Sequence, residues 1–73
     1  MHDYDVLLGV DCAARDTGMR MRLRVRESNA LSAALVAEQT ADQAMDDPRA
    51  YTHAMRVRAV PERAGAAALP VAA

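Results

Sequence analysis

All nine basic side chains of this chain are arginine, and six fall at alternate positions in two runs. The first run is Arg20, Arg22, Arg24 and Arg26; the second is Arg56 and Arg58. A guanidinium group is always charged and presents a planar fork of N–H donors that matches carboxylate and phosphate. Its chemistry is therefore recognition of anions rather than the making or breaking of bonds. The other reactive residue types are sparse. His2 and His53 are the only histidines, and a metal centre needs three or four converging ligands. His53 has only Asp46 and Asp47 near it in sequence, too few for a site. Thr17, Ser28, Ser32, Thr40 and Thr52 carry hydroxyls, but none stands in a nucleophile motif, and there is no glycine-rich phosphate loop. Cys12 is the single cysteine, which rules out an intramolecular disulfide and a multi-cysteine zinc site. The sequence thus offers no catalytic set, no metal and no cofactor motif. It points to a non-enzymatic binding protein.

The arginines must be positioned by strands. From Met19 to Arg26 apolar and basic residues alternate strictly, and period two places them on opposite faces of a pleated backbone. Met21, Leu23 and Val25 are expected to be buried and the four arginines exposed. Tyr4 to Val10 forms a more apolar strand, suited to the centre of a sheet. Asp11 to Gly18 reads as a longish polar connection ending in the turn pair Thr17-Gly18. At Ser28-Asn29, either of which can cap a helix, the period changes. Leu31, Ala34, Ala37, Ala41, Ala44 and Met45 then form a helical stripe, ended by Asp46-Asp47-Pro48. Tyr51 to Val60 is a third strand, with Met55, Val57 and Ala59 alternating against Arg56 and Arg58. Pro61 closes it.

The expected fold is α+β, of order β-β-α-β, with a three-stranded mainly antiparallel sheet in spatial order 2-1-3 and one helix on one face. Residues 1–61 are expected to form one domain, and 62–73 an alanine-rich flexible tail. The uncovered face would carry Arg20, Arg22, Arg24 and Arg26 on one outer strand, Arg56 and Arg58 on the other, and Asp5 between them. These six arginines are the candidate partner-binding residues. None of the expected outward positions is aromatic, whereas sheets that bind RNA add rings on which bases stack. An acidic protein or nucleoprotein partner is therefore favoured over nucleic acid alone. The plainest alternative is a solvated face whose arginine stems cover apolar surface.

Composition narrows the class. The chain has 73 residues and a formal charge of −1, so it is not a generally basic nucleic-acid binder. Its hydrophobic fraction of 52% is largely alanine, with no Phe and no Trp. So small a core sits near the size at which burial alone barely offsets chain entropy, which makes a homodimer or docking on a partner reasonable. The acidic start, Met1-His2-Asp3-Tyr4-Asp5, is unlike a secretory signal. No apolar run reaches the length of a membrane span, so a cytoplasmic location without membrane contact is expected.

The opening Tyr4-Asp5-Val6-Leu7-Leu8, the alanine-striped helix and the closing Asp47-Pro48-Arg49-Ala50-Tyr51 resemble small uncharacterised proteins of phage and prophage genomes. The β-β-α-β layout is similar to that of some anti-CRISPR proteins, which block a bacterial surveillance complex by binding it. The resemblance implies a mobile-element accessory or inhibitor protein. It carries no motif of functional residues, so it assigns no site.

Overall fold

The computed structural model describes residues 1–61. Strand β1 spans His2–Cys12, β2 Arg15–Glu27, helix α1 Ala30–Met45 and β3 Ala50–Val60. The sheet order is β2-β1-β3 and both pairings are antiparallel. This is the β-β-α-β architecture that the alternation and the change of period predict. The apolar strand β1 lies at the centre, with Tyr4, Val6, Leu8 and Val10 buried beneath the helix. Met21, Leu23 and Val25 of β2 are half-buried against the same core, while Arg20, Arg22, Arg24 and Arg26 are exposed. The strand phase is as the sequence requires, because a one-residue slip would have buried the arginines.

Three local expectations are corrected. The first concerns the β1–β2 connection. Cys12 pairs directly with Arg15, so the loop is two residues long, Ala13 and Ala14, with φ of 53° and 65°. Positive φ at both centres is what a type I′ hairpin turn demands, and Asn-Gly is its usual signal. Alanine gives no such signal. The N–H of Ala13 donates to the Arg49 carbonyl at 2.9 Å and ties the turn to the α1–β3 connection. Thr17-Gly18, expected to form the turn, instead lies inside β2 at an irregularity, where the register jumps from Asp11↔Asp16 to Gly9↔Arg20. There Gly18 has φ 81°, and its N–H donates to Asp16 Oδ1 at 2.9 Å. That bond is the main reason the Asp16 carboxyl titrates below its ordinary value; desolvation opposes it, and Arg20 and then His53 add to the lowering.

The second correction is the phase of β3. Leu7 pairs with Arg56 but Leu8 pairs with Ala54, so Met55 is an extra residue in a bulge. One inserted residue flips every side chain on one side of it. Val57 and Ala59 are paired with Val6 and Tyr4 on the helix side of the sheet, as expected; Val57 is half-buried against the core, while Ala59 is exposed. Met55, expected beside them, is exposed. Thr52 and Ala54 take the covered positions, which leaves Tyr51 and His53 on the open face.

The third is the helix stripe. Asn29 is the N-cap, its side-chain oxygen accepting from the Ser32 N–H at 2.9 Å. The fully buried residues are Ala33, Ala37 and Ala41, whereas Leu31 is 71% exposed and Ala44 is exposed too. Alanine wins because the helix packs chiefly against β3, where two of its carboxylates are needed. Asp42 Oδ1 accepts from the Thr52 N–H at 2.7 Å and from Thr52 Oγ1 at 2.9 Å, and Glu38 Oε2 accepts from the Ala54 N–H at 2.7 Å. The helix ends at Asp46, a C-cap in the left-handed region. The tail expected over residues 62–73 lies outside the described residues. No described helix is long and apolar enough to cross a membrane.

Candidate anion-recognition face

The face opposite the helix can be read as a grid from the strand register. Along β1 run Asp3, Asp5, Leu7, Gly9 and Asp11. Facing them on β2 are Arg26, Arg24, Arg22, Arg20 and Asp16; on β3 are Val60, Arg58, Arg56, His53 and Tyr51. All six predicted arginines are brought onto this one surface, with Asp5 among them.

The arginines divide into two sets. Arg24 Nε donates to Asp5 Oδ1 at 2.8 Å, Arg26 Nη1 to Asp3 Oδ1 at 3.0 Å and Arg20 Nη1 to Asp16 Oδ1 at 3.4 Å. These are exposed pairs that add little to stability; their effect is to orient the guanidinium groups of Arg20, Arg24 and Arg26 and to compensate their charge. Arg22, Arg56 and Arg58 have no carboxylate within ion-pair distance among the described residues. Arg22 and Arg56 are both in register with Leu7, one from each side, and Arg58 is in register with Asp5. Together with Asp5 and Leu7 they line a shallow hollow of about 70 Å³ at the middle of the sheet. The sequence shows six equivalent arginines. Only the register separates three compensated ones from three that are not.

Sequence reasoning missed the far end of the face. His53 Nδ1 lies 2.7 Å from Asp11 Oδ2, so the histidine is paired across the sheet and not with Asp46 or Asp47. Its ring lies over Gly9, where an added Cβ would meet Cε1 at 2.7 Å. A side chain there would displace the ring, which accounts for a glycine in the middle of the central strand. Tyr51, 46% exposed, sits opposite Asp11 on the same face. The expectation that no outward position is aromatic is therefore corrected. The bulge at Met55 is the cause, and nothing in the alternation of β3 announces it. No three His, Cys, Asp or Glu side chains are grouped as metal ligands among the described residues. Cys12 is a half-buried free thiol.

No family model, no curated protein and no solved structure matches this chain.

Proposed function

We propose that this chain is a non-enzymatic binding protein that docks the open face of its sheet onto an acidic protein or nucleoprotein partner. The observation that carries this reading is the trio Arg22, Arg56 and Arg58, gathered around one hollow of the sheet with no carboxylate in ion-pair contact among the described residues. Surface arginines serving only solubility do not need to converge, and like charges gathered around one hollow repel. A partner that supplies anions relieves that repulsion. The resemblance to small phage-encoded β-β-α-β proteins supports an accessory or inhibitor role of this kind, as in anti-CRISPR proteins.

A second reading, binding to nucleic acid directly, is favoured by Tyr51 and His53 on the same face, since rings beside arginines are how single strands are held. One experiment tests both. The wild-type protein and an Arg22→Glu/Arg56→Glu variant are immobilised and exposed to bacterial lysate, with and without nuclease. Arg24 is left alone because it is already paired with Asp5. Capture by the wild type and not by a folded variant supports the face, and loss of the captured species on nuclease treatment selects the second reading. A folded variant that retains everything the wild type captures would leave the arginines as solvated surface.

A further inference from the structure

We propose that the hollow between Arg22, Arg56 and Arg58 is a phosphate site, and that a single phosphoryl group seated on Leu7 is the anchor of the docking described above. This rests on the reading of the open face as a recognition surface. It goes further in naming the group recognised and the residues that hold it.

The argument begins with how this face treats carboxylates. Each of Asp3, Asp5 and Asp16 engages one arginine, at 3.0, 2.8 and 3.4 Å. A planar carboxylate has two oxygens and is matched by one guanidinium fork. Three forks around one hollow exceed what a carboxylate uses. Inorganic phosphate is tetrahedral and carries more acceptor oxygens than a carboxylate and between one and two negative charges. A phosphodiester carries one charge but still presents its oxygens out of a single plane, so either can meet donors arriving from three directions.

The register supplies those directions. Arg22 comes from β2, Arg56 from β3 across the same Leu7, and Arg58 from β3 one pair further along. Neighbouring strands are about 4.8 Å apart, so the flanking arginines bracket the central strand at a span their side chains can close. Leu7 gives the hollow an apolar floor. Leu7 itself offers the guanidinium groups no side-chain acceptor, which leaves their donors available to a bound anion. Asp5 also lines the hollow and would repel an anion. Its Oδ1, however, accepts from Arg24 Nε on the β2 side, which compensates that charge within the face.

Two sources of the phosphoryl group share this chemistry: free phosphate, and a phosphodiester of a nucleic-acid strand. The test uses inorganic phosphate and a short oligothymidylate as separate probes, with acetate as the carboxylate control. All are titrated into the full chain at constant ionic strength, followed residue by residue by NMR. Saturable shifts confined to Leu7, Arg22, Arg56 and Arg58 with phosphate, and at least tenfold weaker binding of acetate, are expected. Arg22→Gln and Arg56→Gln should each weaken phosphate at least tenfold, while Arg26→Gln, whose native partner is Asp3, changes it less than twofold. Tighter binding of oligothymidylate, with added shifts at Tyr51 and His53, would assign the phosphodiester source and support the anchor; phosphate binding without that gain would leave a free-anion site and overturn its role as the anchor of docking. Equal binding of acetate and phosphate, or equal effects of Arg22→Gln and Arg26→Gln, would overturn the site. If the site fails in this way while the lysate experiment still shows capture that depends on the face, the docking reading stands and only the anchor is refuted.

Discussion

At the scale of single residues, the open face is ordered by contacts between neighbours in register. Gly9, His53 and Asp11 show this most clearly. The imidazole reaches the Asp11 carboxylate, 2.7 Å away, across space that a side chain at Gly9 would occupy. Gly9→Ala would bring a Cβ to 2.7 Å from Cε1 and 2.8 Å from Nε2 of that ring. Forcing a group into occupied space costs about 1–3 kcal/mol. Displacing the ring also separates it from Asp11. We expect Gly9→Ala to lower stability by about that amount in the wild type, and by clearly less in a His53→Ala background, where only Met55 Sδ, 3.1 Å from the added Cβ, still crowds it. Chemical denaturation of the four proteins of this cycle measures it. Equal costs in both backgrounds would place the glycine requirement outside the ring.

At the scale of elements, the strained turn and the guarded edge carry the tests. Ala13 and Ala14 both have positive φ, a conformation that costs a residue with a Cβ about 1–2 kcal/mol. Ala14→Gly removes that strain, partly offset by the greater freedom of glycine in the unfolded chain. A net gain of about 0.5–1 kcal/mol is expected, against a loss for the same change at Ala54, which packs in a strand. Thermal melts of the two variants should move in opposite directions. On the other side of the sheet, Asp42→Ala would leave the N–H of buried Thr52 without its acceptor and should cost about 1–3 kcal/mol. It would also expose part of the β3 edge, so size-exclusion chromatography should show more self-association than the wild type does. Sequence reasoning reached the element order, the central place of β1 and the faces of β2, because those follow from strict alternation and from one abrupt change of period. It could not reach the Ala-Ala turn, since alanine is a poor turn former and only the closing of Cys12 on Arg15 imposes it. Nor could it reach the Met55 bulge, which shifts one residue of pairing without any Gly or Pro to mark it. That bulge decides half the candidate site: it leaves Arg56 and Arg58 on the open face and brings Tyr51 and His53 to join them.

At the scale of the whole molecule, the charge is unevenly spread although the total is only −1. The open face carries six guanidinium groups against the carboxylates of Asp3, Asp5, Asp11 and Asp16, while Glu38, Asp42, Asp46 and Asp47 lie on a helix without basic residues and at its C-terminal end. Between these layers the core is thin. Val6 and Leu8 are the largest fully buried side chains, and the helix contributes only alanines at its closest approach. A domain with so little buried area has a small margin of stability, and its melting temperature responds visibly to any ligand of the folded state. Binding at a hundred times the dissociation constant adds about 2.7 kcal/mol. A domain of this size gains roughly 4–8 °C per kcal/mol, so saturating phosphate should raise the melting temperature by roughly 10–20 °C. Phosphate also stabilises proteins generally, by exclusion from their surfaces. The variant Arg22→Gln/Arg56→Gln separates the two effects, because exclusion acts on it equally while the site is lost. Without phosphate the variant should melt at or slightly above the wild-type temperature, since removing two of three crowded guanidinium groups relieves repulsion. With phosphate it should gain only a few degrees. Equal gains in both proteins would show that the anion acts on the solvent alone and that the convergence of the three arginines has no ligand of this class.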